Sequence, residues 1–276
     1  MGRARKFFHN LNEFTKWSSL ARVGGSGVSR ATVLAPFIGY LIIYNHFFLD
    51  FFGLNQLSNP SMDVQGWWDS VEQKRLHFLY FGLLVFGLGS FLFLLFCPTQ
   101  VSRFSTAQRM IEESEKTQTK ALTVAALDRV IARFNVSLQG ESSSPFFNGD
   151  SLSFPASLQE SFHEFISEIF ESRSPNVIEE EFEAEAAGHF YTGSGYVNSE
   201  AVIDVISSRR RVERALWEEL LDIAYKAKTR DILYLDFTAS DYSRVIQRYL
   251  CAFLLAFGGV LLVVPTVITS VEILFI

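Results

Sequence analysis

Three stretches of this chain, residues 31–49, 76–96 and 249–271, contain no Asp, Glu, Lys or Arg. A bilayer core is spanned by a helix of about 20 apolar residues, because lipid offers the backbone no hydrogen-bond partners and the helix supplies its own. A buried core helix accounts for one such run, but three of this length point to an integral membrane protein. Of the 276 residues, 49% are apolar and only 20% charged, which excludes a disordered chain. Two cysteines, Cys97 and Cys251, are too few for a disulfide-stapled scaffold. The first run begins 30 residues in and is too long for a signal-peptide core, so a cleaved leader is not expected.

The expected fold is mainly α. Residues 1–30 form a cytosolic amphipathic helix and hinge, and residues 31–97 a transmembrane hairpin with spans at about 31–52 and 76–97. Residues 98–248 form an inserted cytosolic helical domain, and residues 249–276 a third transmembrane helix. Orientation follows the basic residues. Arg3, Arg5, Lys6, Lys16, Arg22 and Arg30 precede the first span, and at the two ends of the insert Arg103, Arg109, Arg244 and Arg248 flank the spans. The loop 53–75 has only Lys74 and Arg75, beside the interfacial pair Trp67 and Trp68. By the positive-inside rule the amino terminus and the insert lie in the cytosol and the carboxyl terminus outside, a multi-pass topology in the cell membrane.

Within residues 4–23, Phe7, Leu11, Phe14, Trp17 and Leu20 recur at helical spacing among Arg5, Asn12, Glu13 and Lys16. Such a helix either lies in the headgroup plane or packs on the cytosolic domain, and the basic residues and Trp17 favour the first. Gly24, Gly25 and Gly27 then read as a hinge into the first span.

The insert holds 24 acidic and 16 basic residues, a net charge of −8, and is long enough to bury its own core. One long or broken helix is expected from Pro98 to about Leu138. Its stretch 112–120 lacks an apolar face and must be solvated or bridge two parts. A Ser-rich loop over 140–157 leads to a helix with Ser157 and Glu160 as a capping box and Leu158, Phe162, Phe165, Ile166 and Ile169 on one side. A further helix, capped by Asn198 or Ser199, is expected to run to about Lys228. The alternation in Asp231–Phe237 reads as extended packing or a short helical turn.

No catalytic signature emerges. Five scattered histidines and two cysteines form no zinc motif. Gly24–Gly27 and Gly193–Gly195 lack a phosphate-loop lysine, and no nucleophile elbow is present. Glu164 and Glu168, beside His163, share one helix face that reads as solvated. The chain is therefore expected to be no enzyme and to need no cofactor or metal. Arg209, Arg210 and Arg211 sit in an acidic domain, which argues against nucleic acid. With Glu179, Glu180, Glu181 and Glu183 they are candidates for docking a protein partner or for pairing with each other.

His46, Asp50, His77 and Glu272 fall near the outer ends of the spans and form a candidate polar cluster, with separate exposure to headgroup water as the simpler reading. Ala252, Ala256 and Gly259 form a small-residue face on the third span, with Gly82 and Gly89 of the second as a receiving groove, a pattern expected of a homo-oligomer. The expected function is a non-enzymatic membrane subunit that oligomerises, contacts lipid, docks a cytosolic partner and relays an envelope signal, as in bacterial stress-response or phage-defence systems. The alternative is an oligomeric pore or small-solute channel gated by the cytosolic domain.

Overall fold

A computed structural model describes residues 11–27, 32–34, 71–104, 106–139, 152–173, 188–208 and 214–275. They are mainly α, and their one β-type pairing is an isolated bridge between Tyr191 and Val197. The chain divides into two compact units, Met1–Cys97 with Ile246–Ile276, and Pro98–Val245.

The first unit contains α1 (Trp17–Gly24), α2 (Val71–Phe96) and most of α10 (Val245–Phe275). Two segments, Phe78–Phe96 and Val245–Ile268, are long and apolar enough to cross a membrane. The expected first span, about 31–52, falls outside the described residues except for 32–34. A core helix of a water-soluble protein buries its large side chains. Here Leu88, Phe91, Leu94 and Leu95 of α2 and Phe253, Phe257, Val260 and Val263 of α10 are exposed, and only 28% and 22% of the two apolar windows are buried.

The amino-terminal amphipathic segment packs within this unit. Trp17 and Leu20 are buried, and the Trp17 ring lies 6.0 Å from that of Phe93 on α2. Phe14 points away, 78% exposed. Gly24 belongs to α1 and sits against Phe93 and Leu255, so the expected glycine hinge begins only at Gly25, the residue that caps the helix.

The second unit is a helical bundle: α3 (Thr99–Arg103), α4 (Ala107–Ser114), α5 (Lys120–Gln139), α6 (Ala156–Glu171), α7 (Ser199–Ser208), α8 (Arg214–Ala227) and α9 (Thr229–Asp241). The stretch 98–138 is indeed broken, and its polar part bridges: Glu115 receives both Nε and Nη2 of Arg230 from α9, at 2.9 and 3.0 Å. The apolar side of α6 meets α5 through Phe134, whose ring stands 5.1 Å from Phe162 and 5.5 Å from Phe154. Asn198 caps α7 by accepting the backbone N–H of Ala201 at 3.4 Å.

Two local expectations are corrected. The segment 231–237 is neither strand nor single turn but the middle of α9, which lies at the centre of the bundle and buries Ile232, Leu233, Leu235, Phe237 and Ala239. A helix packed on several sides loses the one-sided stripe by which helices are recognised. The Ser157–Glu160 capping box is not formed, because α6 already begins at Ala156, behind Pro155 at the N-cap. Proline suits that end of a helix, where an N–H is unpaired in any case. Of the helix expected over 199–228, the described residues show Ser199–Ser208 (α7) and Arg214–Ala227 (α8), and residues 209–213 lie outside them.

Surface ion pairs tie helices at the bundle's rim. Lys120 of α5 and Lys226 of α8 reach Asp222 at 2.7 and 2.5 Å and hold its carboxyl down to about 2, against an ordinary 3.8. The depressed folded pKa means this stabilisation is complete above the unfolded pKa and is lost as pH falls through about 2. In an NMR titration the Asp222 carboxyl should show that midpoint, moving toward 3.8 in Lys120→Met. An unshifted midpoint in the variant would remove the pair as the cause.

Candidate functional site

Two places in the fold bring together residues that are distant in sequence. The first is the seam between α2 and α10. A Cβ on Gly82 would lie 3.0 Å from the Leu262 side chain, and one on Gly89 3.1 Å from Leu254 and Leu255. On the α10 side, a Cβ on Gly258 would lie 2.6 Å from the backbone nitrogen of Phe86. Glycine lets the two backbones approach, and dispersion then replaces the hydrophobic drive that lipid cannot supply. Cys251 is buried in the same seam and its thiol donates to the Gly89 carbonyl at 3.3 Å, while Cys97 is also buried and unbridged. Gly82 and Gly89 thus face α10 of their own chain.

The small residues of α10 are placed differently. Ala252 is half-buried, Ala256 is exposed, and a Cβ on Gly259 would meet nothing within 4 Å. Ala256 and Gly259 line an apolar groove of about 640 Å³ together with Val23, Phe86, Leu255 and Val263. Gly258, which sequence reasoning passed over in favour of Gly259, is the glycine used for close packing.

The second place is a buried polar network in the helical unit. Asp236 on α9 is fully buried. Its Oδ2 accepts from Gln100 Nε2 at 2.8 Å and from Arg129 Nη2 at 2.6 Å, and its Oδ1 accepts from Arg129 Nε at 3.3 Å, with Arg133 Nη1 3.6 Å away. One turn on, the Ser240 hydroxyl accepts from Arg133 Nη1 at 2.8 Å and lies 2.6 Å from Gln100 Oε1. Both carboxylate oxygens are engaged, as a buried charge requires. The network clamps α3, the first helix after α2, to α5 and α9. Burial holds the Arg133 guanidinium below the ordinary arginine range, Asp236 counters this, and the positive fields of Arg129 and Arg244 add to it.

None of these residues stood out in the sequence, because more than a hundred positions separate Gln100 and the two arginines from Asp236. The available signal was the i, i+4 spacing of Arg129 with Arg133 and of Asp236 with Ser240, which matches face to face only if 231–241 is helical. Arg248, also fully buried, belongs to the first unit and donates to Asn12 Oδ1 from Nη2.

The remaining candidates are dispersed or lie outside the described residues. Glu168 pairs with Lys228 at 2.5 Å, and His163 Nδ1 lies 2.6 Å from Ser199 Oγ, so the two belong to separate contacts. His46, Asp50, Glu179, Glu180, Glu181, Glu183, Arg209, Arg210 and Arg211 fall outside the described residues, as do the side chains of His77 and Glu272. Among the described residues no group of three or more His, Cys, Asp or Glu is placed to hold a metal ion. No family model matches the chain, and neither a curated protein nor a solved structure matches it.

Proposed function

We propose that this chain is a non-enzymatic integral membrane subunit that self-associates and presents its acidic helical unit to a cytosolic protein partner, to which it relays a signal from the envelope. The carrying observation is the apolar surface of α2 and α10, where large side chains such as Phe91, Leu95, Phe253 and Phe257 are exposed. Such a surface is stable in lipid and an aggregation hazard in water. The attached unit has a separate core and a net acidic composition, as suits a domain that folds by itself and recruits a basic partner by charge complementarity.

Self-association is supported by the groove beside Ala256 and Gly259, where small residues stand open while Gly82, Gly89 and Gly258 are occupied within the chain. The competing channel reading needs a polar helix face. The exposed described residues of α2 and α10 are mostly Leu, Phe and Val, which favours lipid or protein contact over a water-filled lumen.

Purified in mild detergent and in lipid nanodiscs, the chain is expected to run as a homo-oligomer, and from native membranes to bring down a stoichiometric soluble partner. Ala256→Leu fills the groove and is expected to lower the assembled mass. A monomeric parent in both media refutes self-association, and ion conductance in liposomes turns the reading to the channel.

A further inference from the structure

Arg129 and Arg133 stand one turn apart on α5, and both guanidiniums reach the buried carboxylate of Asp236. Arg129 meets it side-on through Nε and Nη2. Arg133 uses Nη1 alone, shared among Ser240 Oγ, the Asp236 carbonyl and Asp236 Oδ1. A guanidinium has five N–H donors in a planar fork, so most donors of this pair are left over. Among the described residues, Arg129 Nη1 and Arg133 Nε and Nη2 have no hydrogen-bond partner, and the two Arg133 nitrogens are not buried.

Asp236 is the one carboxylate among the described residues that pairs with either arginine, so two positive charges face one negative. Asp128, Asp241 and Arg244 have interactions of their own and are no part of the cluster. Arg129 Nε lies 3.3 Å and Arg133 Nη1 3.6 Å from the same oxygen, Asp236 Oδ1, which brings the two forks within reach of one small oxyanion. The side chains keep 46% and 31% of their exposure, so a ligand can approach from solvent while Asp236 holds them from beneath. Burial already disfavours the charge of Arg133, and a further anion would offset that cost.

We propose that Arg129 and Arg133 form a binding site for the phosphate group of a small soluble ligand. The open donors sit on three nitrogens of two forks, which suits a tetrahedral anion with several acceptor oxygens better than a flat carboxylate. Both guanidiniums are ordered by the buried carboxylate before the ligand arrives, so little side-chain freedom is lost on binding. Inorganic phosphate is the smallest ligand of this class. Every residue of the site lies in Pro98–Val245, so the proposal goes beyond the membrane reading and does not rest on it. A phosphate held there adds to the contacts among α3, α5 and α9 and stabilises the helical unit by binding its folded state.

The test titrates the full chain in mild detergent with sodium phosphate, against sodium chloride of equal ionic strength, by calorimetry and by NMR of the arginine Nε–H groups. Phosphate is expected to bind saturably and to shift the Arg133 Nε–H signal of the parent, and chloride to do neither. Arg129→Gln and Arg133→Gln should each weaken phosphate binding about tenfold, as the loss of one charge-assisted hydrogen bond does. Arg230→Gln removes the same charge from an exposed arginine paired with Glu115 and should leave the affinity intact. Should Arg133→Gln fail to fold, Arg129→Gln, the more exposed of the pair, decides together with the parent's own signal. An Arg133 signal that phosphate leaves in place, binding that chloride reproduces, or an equal loss in Arg230→Gln would each overturn the site. If phosphate is inert while phosphatidylglycerol added to the micelles moves that signal, the soluble source is wrong and a lipid headgroup takes its place.

Discussion

Replacing Asp236 by alanine should destabilise the helical unit by about 3 kcal/mol, at the low end of the range for breaking a buried ion pair. The buried partner is the one removed, while Arg129 and Arg133 are partly exposed and recover some hydration. What they cannot recover is geometry. Gln100 loses the acceptor that holds α3 against α9, and the Arg133 contact to Ser240 loses its neighbour. The effect is expected as a lowered denaturation midpoint followed by circular dichroism on the full chain in detergent. Asp236→Asn should cost less, since an amide oxygen still accepts from Gln100 or Arg129. Equal losses for both substitutions would mean that the charge itself carries the effect and that the hydrogen-bond geometry does not.

The second large effect is expected in the seam. A methyl group on Gly258 would lie 2.6 and 2.8 Å from the backbone nitrogen and Cα of Phe86, atoms that cannot rotate aside. Gly258→Ala therefore has to push α2 and α10 apart, forfeiting dispersion contacts along the helices, and should cost about 1–3 kcal/mol as overpacking does. Gly259→Ala is the control, one residue on, with nothing within 4 Å of its added methyl. Alanine is the better helix former by about 1 kcal/mol, so that variant should unfold at the same temperature as the parent or above it. Similar midpoints for the two variants would show that the helices do not depend on close approach at Gly258.

Local sequence signals suffice for α2 and α10 but not for α9. Uninterrupted apolar runs identify α2 and α10 by themselves, because in lipid each helix satisfies its backbone internally and its neighbours need not be known. The mainly α character of the insert, the Asn198 cap and the broken helix after Pro98 are likewise local, set by periodicity and capping chemistry within a few residues. The central helix α9 was not legible, because periodicity reports a single buried face and α9 is buried on several. Asp231–Phe237 alternates for that reason, although nothing in the segment forms a strand.

The sequence by itself determined where apolar surface is concentrated, and hence which helices are long and apolar enough to cross a membrane, together with the acidity of the part between them. Tertiary structure alone decided which small residues are used: Gly258 closes the seam and Gly259 stays open, although they are neighbours with the same chemistry. The rotation of α10 about its axis makes that choice, and it depends on side chains contributed by α2. It also decided that Asp236, a residue that composition assigns to the solvated acidic surface, is buried beneath two arginines and a glutamine. A charge can be taken from water only where partners from distant segments converge on it, and that convergence is a property of the folded chain.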